Sequence, residues 1–281
     1  MPPRTLVAPD ELLSLQRSGA PLVLLDISFD LMDVEAGLRN WRCAHLPGSI
    51  YLHLERDLSA AKTGRNGRHP LPDRDQFAVT LGNCGITPVT PVVTLDSQGG
   101  MYAARAWWML RWMGHSDVAV LDGGVAAWVT AGGVLTDVVL AASAVPPYPA
   151  RAPLAATESA DSVARDLGRI RLIDARAAER FRGEVEPLDA QAGHIPGALN
   201  RFFKDNLGPD GRFKSAQRLR AEFLPLLADQ HPDQVVHQCG SGVTACHNLL
   251  AMEHAGLSGS RLYPGSWSEW SAEPERPIAR G

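Results

Sequence analysis

The feature that most constrains the fold of this chain is that it contains itself twice. Leu24-Leu25-Asp26 returns as Leu172-Ile173-Asp174, and Ala44-His45-Leu46-Pro47-Gly48 returns as Gly193-His194-Ile195-Pro196-Gly197. Val92-Val93-Thr94-Leu95-Asp96 returns as Val235-Val236-His237-Gln238-Cys239, and Gly123-Gly124 followed by Trp128 returns as Gly265-Ser266 followed by Trp270. The four blocks keep their order and sit 148, 149, 143 and 142 residues apart, a drift expected of loops that gain and lose length. A period this long excludes a solenoid and implies a duplicated domain, and 281 residues suit two domains of ordinary size. The copies are placed at 7–137 and 159–279. Between them, 138–158 contains a Pro- and Ala-rich run that reads as an ordered linker, because proline favours extended chain and removes backbone donors.

Each copy follows one plan. A short apolar run ending in an acid (Pro21 to Asp26; Ile170 to Asp174) and a second run (Pro91 to Leu95; Gln234 to Gln238) have the length of buried strands. A Gly-containing loop follows, then an apolar helical stretch (Tyr102 to Met113; Thr244 to Ala255) and a third strand (Val118 to Leu121; Ser260 to Tyr263). Strands alternating with helices predict an α/β fold: two tandem domains, each a mostly parallel sheet flanked by helices. Ligands of such sheets sit beyond the carboxyl ends of the strands, which is where the Cys239 loop falls.

Composition narrows the function classes. A net charge of -4 gives no basic surplus for nucleic acid. No stretch is long and apolar enough for a bilayer, so no membrane partner is expected. The N-terminal MPPRTLVAPDELLSL has no basic head before an apolar run, so a cytoplasmic location is expected. Cys43, Cys84, Cys239 and Cys246 are too few and too irregularly spaced for a disulfide framework and read as reduced thiols.

The segment from His237 to Cys246 carries the chemistry. Cys239 directly follows a strand, Gly240 and Gly242 allow a tight curl, and a helix begins near Val243 or Thr244. Successive N–H groups of such a loop point inward and form a nest for anions, and the helix N-terminus adds partial positive charge. A cysteine at its centre is held as the reactive thiolate. The competing reading is an inert buried cysteine beside a turn. The spacing of His237, Cys239, Cys246 and His247 matches no usual zinc pattern, so no metal is expected. Cys246, two turns into the helix, reads as core rather than as a resolving thiol.

Cys239-Gly-Ser-Gly-Val-Thr-Ala245, Gly193 to Asn200 (GHIPGALN), Asp174-Ala-Arg176 with Arg180-Phe181, and Tyr263 to Trp270 (YPGSWSEW) resemble two-domain rhodanese-like sulfurtransferases, from about Val7 to Ile278. The CGSGVTA loop is similar to that of 3-mercaptopyruvate sulfurtransferases; thiosulfate-preferring members carry charged residues where Gly240 and Ser241 stand. The resemblance implies ping-pong transfer of sulfane sulfur from 3-mercaptopyruvate, or alternatively thiosulfate, through a Cys239 persulfide. It implies no cofactor, and cyanide or a thiol such as thioredoxin or glutathione as acceptor. The loop from Gly240 through Ser241, Gly242, Val243 and Thr244 would hold the terminal sulfur. Arg180 would orient the donor, and Ser241 with His69, from Gly67-Arg68-His69-Pro70-Leu71-Pro72, would relay a proton, with Glu55 as the upstream acid. Asp96, at the place of Cys239, cannot carry sulfur, which implies an inactive first copy. His45 and His194, present in both copies, read as structural.

One position departs from the pattern: Leu188 stands where mercaptopyruvate enzymes carry a second arginine, with Arg176, Arg182 and Arg201 as possible substitutes. Two other classes compete. Cysteine phosphatases share the fold but place an arginine six residues after the cysteine, where this chain has Ala245. A non-catalytic sulfur carrier or binding module keeps the fold without turnover and would show an unreactive Cys239.

Overall fold

The computed structural model describes residues 5–281; Met1–Arg4, the start of the N-terminal stretch read above for a secretory signal, lie outside the described residues. Among the described residues, ten short strands form two separate sheets of five, every pair parallel. In the first, β1 (Leu6–Val7), β2 (Val23–Asp26), β3 (Ser49–Tyr51), β4 (Val92–Leu95) and β5 (Val118–Leu121) are ordered β1-β5-β4-β2-β3. In the second, β6 (Ala156–Thr157), β7 (Arg171–Asp174), β8 (Leu199–Asn200), β9 (Val235–Gln238) and β10 (Arg261–Leu262) are ordered β6-β10-β9-β7-β8. The second order repeats the first, strand for strand.

The strands read from the sequence are the inner ones, flanked by a neighbour on each side: all four residues of β4, β5 and β9 are buried. The outer strands β1, β3, β6 and β8 are two or three residues long. Pairing with a neighbour, rather than apolar content, makes them strands. β6 falls inside the interval read as linker, where both its residues are exposed.

Two compact units divide the chain. One comprises the described residues up to Ser59, Pro72–Leu154 and Pro209–Phe213; the other comprises Ala60–Leu71, Ala155–Gly208 and Lys214–Gly281. The stretch Ala60–Leu71, which lies inside the first copy in sequence, therefore packs with the second sheet. The Pro-rich run after Val138 is pinned to the first unit: the amides of Val145 and Tyr148 donate to the carbonyls of Gly82 and Ala78 on the helix Arg74–Asn83, both at 2.9 Å. Gly82 is required there, since a Cβ would lie 2.8 Å from the Pro146 carbonyl oxygen.

The helices Ala103–Trp112 and Ala245–His254 follow β4 and β9, and nine and eight of their ten residues respectively are buried. A helix apolar on all sides belongs in a core. Trp128 in the first unit and Trp267 and Trp270 in the second are fully buried against Leu24, Leu46 and Val93, and against Leu172, Ile195 and Val236. Each such side chain contributes about 1.5–3 kcal/mol by leaving water. The indole N–H of Trp128 donates to the Val134 carbonyl and that of Trp270 to the Pro277 carbonyl, at 2.9 and 2.8 Å, the same device in both copies.

Among the described residues no helix is long and apolar enough to cross a membrane.

Candidate active site

β9 delivers Cys239 to the carboxyl end of the second sheet, and the segment from Tyr263 to Trp270 fastens the loop that follows. The Cys239 amide donates to Ser266 Oγ at 3.1 Å. The Cys239 carbonyl accepts from Trp267 N at 3.0 Å and the Gly240 carbonyl from Ser268 N at 2.9 Å. Gly242 takes a left-handed φ of 74°, and a Cβ there would run into the Pro264 carbonyl, so the curl needs glycine. The helix starts at Ala245, one or two residues later than the sequence reading, with Thr244 as its N-cap. Cys239 is only 2% exposed, at the floor of the loop.

The first unit shows what such a loop holds. Asp96 Oδ1 accepts from the amides of Gln98 and Gly100 at 2.8 and 2.9 Å, and Oδ2 from those of Tyr102 and Ala103 at 2.7 and 2.8 Å. Four N–H groups thus converge on one buried carboxylate, an anion nest filled by its own side chain. By the 143-residue offset the matching amides in the second unit begin at Ser241 and Val243. Among the described residues no acceptor is bonded to the amides of Ser241, Val243 or Thr244. Of the four matching amides, that of Cys246 donates to the Val243 carbonyl at 3.0 Å, so the second loop is closed differently from the one that Asp96 fills.

Polar side chains of the second unit ring the loop. Ser241 Oγ lies 2.7 Å from His69 Nδ1, and both residues are buried. Arg180 Nη2 donates to Glu186 Oε1 at 2.6 Å and to Asp189 Oδ2 at 3.3 Å. Arg68 donates through Nη1 to the other oxygen of Asp189, and its amide donates to Ser268 Oγ at 3.0 Å. Both guanidiniums reach Gly240: a Cβ on that residue would lie 2.7 Å from Arg68 Nη2 and 3.5 Å from Arg180 Nη1. Burial pushes the Asp189 carboxyl above its usual range, against the pull of Arg68.

A model of the rhodanese-like domain matches residues 8–131 and again 159–273. The chain belongs to the rhodanese-like family. A Pseudomonas aeruginosa relative described as "Probable 3-mercaptopyruvate sulfurtransferase" is 46% identical over 275 residues, covering 96% of each chain. Thiosulfate sulfurtransferase of Mus musculus is 33% identical, covering 94% of this chain and 91% of its own. The solved structure of 3-mercaptopyruvate sulfurtransferase from Leishmania major superposes with a TM-score of 0.84 at 28% identity, covering 99% of this chain and 77% of that one.

Within this rhodanese-like chain, Cys239, Gly240, Ser241, Gly242, Val243, Thr244, His69 and Arg180 all lie in the second unit. Glu55 lies in the first, where its amide donates to His53 Nδ1 at 3.1 Å. His45 and His194 each stack on an aromatic ring (Trp41 at 4.3 Å, Phe181 at 3.8 Å) and bond a backbone carbonyl through Nδ1, a packing device. Cys246 is fully buried with Sγ 3.4 Å from the Gly242 carbonyl. His237 is buried beside Met252 Sδ at 3.1 Å, and burial pushes its imidazole down to about 3, so it stays neutral near pH 7.

None of the three arginines named as substitutes for Leu188 is placed at the loop. Arg176 is spent on both oxygens of Asp174 and on the Gly193 carbonyl at 2.7 Å. Arg182 pairs with Glu184, and Arg201 with Glu222 and Asn206. The cation that does reach Gly240 beside Arg180 is Arg68, which the sequence reading passed over. Its only signal was adjacency to His69. Asp189 and Ser266 were missed as well, because their roles depend on contacts across 50 and 27 residues from the loop.

Proposed function

We propose that this chain is a sulfurtransferase that takes sulfane sulfur from 3-mercaptopyruvate onto Cys239 and passes it to cyanide or to a thiol acceptor, thioredoxin or glutathione. The Cys239 thiolate attacks the donor's sulfur; an S–S bond forms, the C–S bond breaks, and the electron pair leaves on carbon as the enolate of pyruvate. The terminal persulfide sulfur is held by the loop amides from Gly240 to Thr244, in the place that the Asp96 carboxylate occupies in the first copy. An acceptor thiolate or cyanide then attacks that sulfur and releases Cys239. The first copy, its nest filled, transfers no sulfur.

The observation that carries mercaptopyruvate as donor is the 2.7 Å contact between Ser241 Oγ and His69 Nδ1. An enolate leaving group needs a proton, whereas sulfite leaving from thiosulfate does not. A hydroxyl two residues from the nucleophile, backed by an imidazole, supplies one. Thiocyanate formation from cyanide, measured with 3-mercaptopyruvate and with thiosulfate on wild type and Cys239→Ala, tests this. The expected result is faster turnover with mercaptopyruvate and none in the variant. A preference for thiosulfate would overturn the donor, and activity surviving in Cys239→Ala would overturn the nucleophile.

A further inference from the structure

We infer that the first unit carries a second binding site, a cleft at the amino ends of β2, β4 and β5 that takes a small alkylguanidinium cation, with Asp117 as its counter-ion. The site is independent of the sulfur-transfer reading. It lies in the copy that has Asp96 in place of Cys239, at the strand ends opposite Asp96.

The cleft has a volume of about 110 Å³. Val7, Val93 and Ala119, all buried, form its floor, and Leu15 of the helix Pro9–Arg17 closes one side. Pro21 and Asp117 are exposed at its rim. Every residue that lines it is apolar except Asp117. Among the described residues nothing bonds the Asp117 carboxylate; its backbone carbonyl is the group engaged, accepting from Val92 N and His115 Nε2 at 2.9 and 3.1 Å.

The second unit shows what fills the matching place. β4 pairs with β5 through Val93 and Ala119, and β9 pairs with β10 through Val236 and Arg261. Val236 repeats Val93, so Arg261 stands at the register position of Ala119. On the edge strands Leu6 faces Val120 and Ala156 faces Arg261, which puts Glu158 at the position of Val7. Arg261 Nη1 donates to Glu158 Oε1, and the two side chains are 26% and 14% exposed. The second copy thus lays an aliphatic stem tipped by a guanidinium, paired with a carboxylate, where the first copy has only the side chains of Ala119 and Val7. Both charged groups are missing from the first sheet, and the cleft is the space they leave.

The chemistry of the guest follows. Aliphatic walls suit a methylene stem, and a carboxylate at the rim suits a cationic head that stays near water. A planar guanidinium meets a carboxylate with two parallel N–H bonds. Asp117 repels an anion, and a neutral apolar guest gains nothing from it.

The test is calorimetric titration of the full-length protein with n-butylguanidine, with 1-butanol and butyrate as neutral and anionic controls. One n-butylguanidine per chain is expected, with a Kd of about 1 mM. Both controls are expected to bind at least about 10-fold more weakly, as is n-butylguanidine to Asp117→Asn, through the loss of a charged hydrogen bond. Combining Val7→Glu with Ala119→Arg rebuilds the second copy's pair inside the cleft and is expected to abolish binding. No saturable binding to wild type would overturn the site, as would binding that survives the double variant. Equal affinity for n-butylguanidine and 1-butanol would overturn the cation. Should the double variant fail to fold, Asp117→Asn decides alone, since its exposed side chain makes no bond that folding needs, and an unchanged affinity there overturns the assignment.

Discussion

Under the proposed mechanism, Ser241 is the residue at which the two donors part. Its hydroxyl bonds His69 at 2.7 Å, and its amide belongs to the loop that faces the Cys239 sulfur. Ser241→Ala removes the proton path and leaves the amide in place. Turnover with 3-mercaptopyruvate is expected to fall about 100-fold or more, while turnover with thiosulfate, whose leaving group takes no proton, changes little. Steady-state assays with both donors check this; an equal fall with both would mean that the hydroxyl shapes the loop rather than supplies a proton. His237, though two residues from Cys239, is no alternative proton carrier, since its imidazole is buried and neutral.

At the scale of elements, the Cys239 loop is only as well placed as the segment that fastens it. Ser266 opens the short helix Ser266–Trp270 at a left-handed φ of 54°, a conformation that costs a residue with a Cβ roughly 1–2 kcal/mol. The matching position of the first copy is Gly124, at φ 57°. Serine is strained where glycine relaxes, and its Oγ does what glycine cannot: it accepts the Cys239 amide at 3.1 Å and donates to the Tyr263 carbonyl at 2.9 Å. Ser266→Gly therefore relieves strain and loses about 1 kcal/mol of hydrogen bonding. The expected outcome is a melting temperature within a few degrees of wild type and a clear loss of kcat, about 10-fold. Differential scanning calorimetry beside the thiocyanate assay checks it; a variant with full kcat would show that the Cys239 amide needs no side-chain acceptor.

Across the whole molecule, the two copies treat the acid at the end of their first inner strand differently. Asp174 lies against the guanidinium of Arg176, which donates to both its oxygens. Asp26, in the first copy, has Ser28 at the position of Arg176, and that amide donates to Oδ1 at 2.8 Å. Burial pushes the Asp26 carboxyl up to about 6, with the charge of Asp96 adding to it, against the Ser28 bonds and His45. A folded value above the unfolded 3.8 means the native state holds this proton more tightly. The resulting stability is complete below about pH 4 and lost as pH rises through about 6. At pH 7.5 ionised Asp26 costs on the order of 3 kcal/mol. Asp26→Asn keeps an acceptor for Ser28 and is expected to raise the denaturation midpoint at pH 7.5, with the gain shrinking towards zero by pH 4.5. Urea titrations of both proteins at the two pH values check it, and a gain that does not shrink on acidification would refute the assignment.

The order of elements and the curl of the Cys239 loop were legible in the chain because both are local. Apolar runs such as Val92 to Leu95 are buried on both faces and carry a strand signal without help, and Cys239-Gly240-Ser241-Gly242 encodes its own curl, since Gly242 alone accepts that φ. The duplication determined the topology twice over. The outer strands were not legible, because Leu6–Val7 and Ala156–Thr157 are strands only by virtue of their neighbours. Nor were the groups around the sulfur. Whether an arginine binds substrate or structure depends on which acids are already beside it. Arg176, Arg180 and Arg68 look alike in the sequence, yet Asp174 claims the first, Glu186 and Asp189 hold part of the second, and Asp189 turns the third towards Gly240. Those pairings join residues up to 121 positions apart, and only the folded chain brings their charges together.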